Sequence, residues 1–191
     1  MHFRIAITLI MLAAAPLARA DWTLDPRSSE VTFVSTKAVD FSEVHRFRDI
    51  AGEVADNGKA IVSIMLASVD TGVEIRDERM QSMLFETDTY PEAIIRTRID
   101  KDVLKNMMPG GTRRQNIKLD VDLHGTELTL DAAVDISMLS ETALLVVSTR
   151  PIIVDAKAFG LGAGIEALRQ VANLPSIGNG VPVSFVLLFE K

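Results

Sequence analysis

The stretch from Ile117 to Ile136 limits the fold more than any other part of the chain. Ile117, Leu119, Val121 and Leu123 alternate with Lys118, Asp120, Asp122 and His124. After Gly125-Thr126, Leu128, Leu130, Ala132, Val134 and Ile136 alternate with Glu127, Thr129, Asp131 and Asp135. Side chains on a strand point to opposite faces in turn, so this pattern describes two half-buried antiparallel strands with one packed face and one wet face. A glycine opening a two-residue loop suits a type II′ turn. That register pairs Leu123 with Leu128 and Val121 with Leu130, and it sets Asp120 opposite Asp131. Like charges facing each other are unfavourable. They mark either a cation site or, as the simpler reading, a register displaced by one pair or salt-screened surface charges.

Much of the rest also reads as strand: 30–38, 43–54, 59–69, 92–100, 142–155 and 181–190. Gly52 inside the second suggests a bulge or a close backbone approach. Asp56-Asn57-Gly58 is a hairpin turn signal. The strand at 59–69 is apolar on both faces, which places it centrally, and the one at 142–155 is broken or ended near Arg150-Pro151. Helical spacing occurs at Met80, Met83 and Leu84, ahead of Tyr90-Pro91, and again over 164–173. About eight strands with one or two short helices, at these spacings, indicate an all-β barrel or sandwich.

Residues 1–20 read as a secretory signal peptide. They carry a short basic start, an apolar run over 5–12 and Ala18-Arg19-Ala20 as a small-residue cleavage site. The run is too short to span a membrane. Residues 21–191 are then one exported domain, expected in the periplasm. The formal net charge is −6, and cleavage would remove two cations, Arg4 and Arg19. An acidic chain with no basic stripe is a poor partner for nucleic acid or an anionic membrane surface. The sequence holds no cysteine, which excludes disulfides, thiol chemistry and a lipoprotein anchor.

Catalytic signatures are missing: there is no Gly-x-Ser-x-Gly, no His-Glu-x-x-His and no phosphate-cradling loop. His45 is expected on a polar strand face and His124 in a solvated turn, neither as a metal ligand. Gly160-Leu161-Gly162-Ala163-Gly164 lacks the spacing of a dinucleotide loop and reads as a flexible connection and helix start. The scattered methionines suit core or pocket lining better than copper. In the cluster Arg76-Asp77-Glu78-Arg79, Asp77 is a candidate helix cap and Arg76 a candidate partner for a carboxylate at a pocket rim or for a ligand head group.

Trp22-x-Leu24-Asp25-x-x-x-Ser29-x-Val31-x-Phe33 resembles the opening of the YceI-like proteins. Ser68-Val69-Asp70-Thr71-Gly72, Arg76-Asp77, Leu84-Phe85 and Tyr90-Pro91 are similar to that family's central signature. Leu123-His124-Gly125-Thr126 resembles its Leu-x-Gly-x-Thr hairpin, and Phe159-Gly160-Leu161 its late Phe-Gly motif. Two departures stand out. Arg79 occupies a place where the family often has histidine, and the surroundings of Gly52 lack the usual aromatic-rich Gly-Phe pattern. The resemblance implies an eight-stranded antiparallel lipocalin-like barrel that holds a long apolar chain, such as a polyisoprenoid. It implies no cofactor beyond such a lipid or an isoprenoid quinone as ligand.

The expected function is therefore a periplasmic carrier of an isoprenoid or other long-chain lipid, with no enzymatic activity. Its expected lining is Phe33, Phe47, Met65, Met80, Leu84, Phe85, Leu119, Val121, Leu130 and Phe159. Rival readings are a quinone-linked accessory of a membrane electron-transport protein, since some family members accompany cytochrome b561-type proteins; an enzyme using Asp77 or Arg76 on a bound lipid; and a dry barrel serving in stress or interaction. The oligomeric state is open, with a homodimer as one option.

Overall fold

The computed structural model describes residues 22–55 and 57–191. The expected signal peptide, residues 1–20, and Asp56 of the first hairpin turn lie outside the described residues. Strand β1 runs Trp22–Leu24 and resumes at Glu30–Lys37, and β2 comprises Phe41–Phe47 and Ile50–Val54. β3 is Lys59–Met65 and, past a 3-10 turn, Val69–Asp70; β4 is Glu92–Arg98. β5 (Thr112–Leu123) and β6 (Thr126–Ser140) are the long hairpin. β7 has two pieces, Ala143–Ser148 and Ile152–Asp155, and β8 is Gly180–Glu190. Each strand pairs antiparallel with the next, and β8 returns to β1 through Val183 opposite Phe33 and Phe189 opposite Leu24. The result is a closed eight-stranded antiparallel barrel.

The pairing of β5 with β6 departs from the expected register. The turn is His124-Gly125, both left-handed at φ 53° and 72°, which is the type I′ rather than the II′ geometry. Val121 consequently faces Leu128 and Leu119 faces Leu130. A slide of two residues keeps every side chain on its expected face, whereas a slide of one would have inverted them all. It also removes the acid–acid clash. Asp120 accepts a 2.7 Å hydrogen bond from the Thr129 hydroxyl, and Asp131 meets Lys118 at 3.1 Å. Left-handed backbone is unfavourable for histidine. Here the ring is held by Tyr90, 4.3 Å away between centroids, and by Glu86 at 2.9 Å. Gly125 cannot be replaced cheaply, because a Cβ there would sit 2.9 Å from Tyr90 Cε1.

Two strands read as continuous are interrupted. The break in β2 at Arg48-Asp49 and the 3-10 turn of β3 at Leu66–Ser68 lie side by side, joined by Arg48 N–H to Ser68 O and Met65 N–H to Asp49 O. Beside them Asp70 accepts from Arg46 and Arg48, both at 2.9 Å, and from the Gly72 N–H. The Arg48 and Arg46 hydrogen bonds hold its carboxyl well below the usual carboxylate range. Gly52 pairs without a bulge. A Cβ on it would lie 3.0 Å from Ile61 O and 3.3 Å from Leu24 Cδ1, so close approach is the reason for glycine.

Three helices sit at the ends of the barrel. Helix α1, Glu74–Arg79, runs on into a π-helical turn, Met80–Phe85, that ends at left-handed Glu86. α2, Lys101–Asn106, has no counterpart in the sequence reading; Asp100 caps it through Asp102 N–H. α3 spans Gly162–Val171, two residues ahead of the expected start. α1 follows β3 and α3 follows β7, so both close the same end of the barrel. α2 lies at the other end, where buried Trp22 begins β1 and Lys191 lies 4.4 Å over its ring. No helix among the described residues is long and apolar enough to cross a membrane.

Candidate functional site

The inward faces of the strands do not meet. They enclose a cavity of about 360 Å³, roofed by α1, its π turn and α3. Of the residues expected to line it, Phe33, Phe47, Met80, Leu84, Phe85, Leu119, Val121 and Leu130 do so. Met65 does not. On β3 the inward parity belongs to Ala60, Val62 and Ile64, and Met65 one step on turns outward, 37% exposed. A strand apolar on both faces conceals its parity, which is why the sequence placed Met65 inside. Phe159 is the second correction: it is fully buried but packs into the solid core at the approach to α3 rather than onto the cavity.

The roof depends on contact between the two helical segments. A Cβ on Gly164 would lie 2.5 Å from Met83 O and 2.7 Å from Leu84 Cα. The glycine-rich run is therefore a site of backbone contact, not merely a flexible connection. The π turn inserts an extra residue into the helical ladder, and Met80, Leu84 and Phe85 are all buried beneath it. α3 contributes Ile165, Leu168 and Val171 to the lining. Their helical spacing was visible in the sequence as one apolar side, but nothing local said that this side covers a cavity.

Polar groups gather at the helical end. Lys37 and Arg76 both pair with Glu43, Arg76 at 2.8 Å. Arg76 also donates to Thr71 Oγ1 at 2.8 Å and Thr71 O at 2.7 Å. The hydrogen bond from Lys37, followed by that from Arg76, keeps the Glu43 carboxyl below its ordinary range against the opposing effect of burial. The expected rim role of Arg76 is thus met by Glu43. Asp77 does not cap α1. Its Oδ1 reaches back to Thr71 N–H at 2.9 Å and Thr71 Oγ1 at 2.5 Å, and the position before the helix is taken by Val73 without a side-chain cap. Arg76 and Asp77 together tie the start of the lid to the loop after β3.

His45 is a cavity-lining residue that sequence reasoning missed. It lines the cavity at 3% exposure, not a polar outer face. The clue was available, since it shares parity with Phe47. Nε2 lies 2.8 Å from Ser35 Oγ, while Nδ1 has no hydrogen-bond partner among the described residues. Burial, then the nearby Arg76 charge, pushes its pKa down. The unfolded chain therefore takes up a proton near pH 6.5 while the folded protein stays neutral, so stability is full above that pH and falls as the pH drops towards the folded value. Denaturant unfolding at pH 7.5 and 5.5 is expected to show a loss at the lower pH that shrinks in His45→Gln. Among the described residues, no group of three or more histidine and carboxylate side chains could hold a metal.

Comparison with known proteins agrees with this architecture. The YceI-like domain pattern matches residues 22–189. The chain belongs to the YceI-like family. A solved polyisoprenoid-binding domain from Saccharophagus degradans, implicated in plant cell wall breakdown, is 35% identical. The match covers 91% of this chain and 99% of that one, with a TM-score of 0.88. Burkholderia cenocepacia BcnA shares the fold at 20% identity and TM-score 0.67, over 86% of this chain and 98% of that one. The Campylobacter jejuni YCEI protein shares it at 12% identity and TM-score 0.54, over 100% and 94%. None of the curated proteins matches this chain in sequence.

Proposed function

We propose that this YceI-like chain is an exported carrier that encloses the apolar chain of an isoprenoid or similar lipid within its barrel, working in the periplasm. The observation that carries this reading is the cavity itself. Its walls from β1 to β8 are almost wholly apolar, and it runs from the helical roof down to Val54, Ala60 and Phe189. A space of this size is typical of small-molecule sites. Burying about ten methylenes there would contribute about 8 kcal/mol before the costs of association. The relationship to the S. degradans domain supports the same ligand class. Arg76 and Asp77, around which a lipid-modifying activity would be built, are engaged with Glu43 and Thr71, which favours binding over turnover.

Native mass spectrometry of gently purified protein, followed by solvent extraction, tests the proposal. The expected result is a mass excess that releases a long-chain lipid, whose spectrum also separates a quinone from an isoprenoid alcohol or phosphate. Protein running at the bare polypeptide mass, with nothing extractable and no uptake of added geranylgeraniol, would overturn it.

A further inference from the structure

The cavity has one open end and one blind end. At the helical end Val171, Ala172 and Gly178 line it and are exposed, so the tube opens between the end of α3 and the tip of β1, where Gly178 N–H donates to Thr36 O. At the other end the lining residues Val54, Ala60, Ile99 and Phe189 are all buried. Beyond them the barrel is filled. Met138, Leu144, Phe189 and Leu24 face one another in turn across β6, β7, β8 and β1. Of these only Phe189 borders the cavity, and the other three are no more than 5% exposed. Trp22, 4% exposed and opposite Val54, completes the plug. The floor just above it is a row of directly facing residues on β2, β3 and β4, Val54, Ala60 and Thr97. Ala60 is the smallest of them, and the Thr97 hydroxyl is already bonded to Lys118 O at 2.7 Å.

We infer that this floor is a ruler that sets how much of a chain the protein can enclose, with Ala60 as the residue that fixes its depth. On β8 the lining runs from Val181 to Phe189. At about 3.4 Å per residue on a strand tilted by about 40°, that is a depth of about 20 Å, or about four extended isoprene units. A volume of about 360 Å³ spread over that depth has room for one extended chain, not for one folded back on itself. Each isoprene unit that leaves water for the apolar wall raises affinity at least about tenfold. Units beyond the fourth stay outside the helical opening, in water, and add nothing. This inference rests on the reading of the barrel as a chain-enclosing carrier and adds the length of chain it selects, whatever the head group.

A series of alcohols sharing one head group and differing only in length tests the ruler: geraniol, farnesol, geranylgeraniol and hexaprenol, each titrated into lipid-free protein. Affinity is expected to rise at least about tenfold per unit up to geranylgeraniol and to change less than about twofold from there to hexaprenol. Ala60→Leu raises the floor, so geranylgeraniol should lose about tenfold while farnesol keeps its wild-type affinity. Thr97→Leu, which reaches the same floor from β4, should give the same pattern and serves if the first variant does not fold. Affinity that keeps climbing by the same factor through hexaprenol would overturn the ruler while leaving the carrier reading intact. So would a break that stays at geranylgeraniol in a folded floor variant. If none of the alcohols binds, the carrier reading fails and the ruler with it.

Discussion

Gly164→Val is expected to destabilise the protein by about 3 kcal/mol, the upper part of the range for overpacking a filled site, and to open the roof of the barrel. The added side chain would begin 2.5 Å from Met83 O and 2.7 Å from Leu84 Cα. Both obstacles are backbone atoms, so no rotamer change relieves the clash. The two helical segments must separate instead. Urea unfolding should show the loss as a lower midpoint, and dissociation of a bound apolar probe should be faster. Wild-type stability together with wild-type release would mean that α3 does not hold the π turn closed.

Val121→Trp is expected to behave in the opposite way, leaving the fold intact and taking away the ligand space. Val121 lies on β5 between Ile95 on β4 and Leu128 on β6, with its side chain on the cavity wall. Because there is empty volume in front of it, an indole can extend without displacing packed neighbours. Excluding about three methylenes of a bound chain would weaken affinity about fiftyfold. Isothermal titration with an apolar chain measures that loss, and thermal unfolding checks that stability is kept. A large drop in stability with no change in affinity would show instead a packed core with no working cavity.

These two positions mark the limit of what can be read along the chain. Val121 was legible because β5 alternates strictly and a strand's faces follow from its own backbone. The same rule would have found His45, two residues from Phe47, had its polar ring not suggested an outer face. It misled at Met65, where apolar residues on both sides of β3 gave no parity. Gly164 could not be read at all: five residues of glycine-rich sequence look the same whether they bend freely or touch another helix. The two-residue slide of the β5–β6 hairpin depended on whether His124 would accept a left-handed backbone. The Tyr90 and Glu86 contacts that hold it there come from 34 and 38 residues away in the chain.

The amino-acid sequence alone determined the alternating faces of β5 and β6, the acidic charge and the absence of thiols, and its motifs pointed to the YceI-like barrel. All of these are properties of residues and their near neighbours. Tertiary structure decided which wall encloses space, which helices roof it, and where the basic groups stand. Those outcomes follow from strand closure and from contacts between distant segments. The alternation of β5 said that one face was buried; only the closed barrel shows that this face borders a cavity rather than a core.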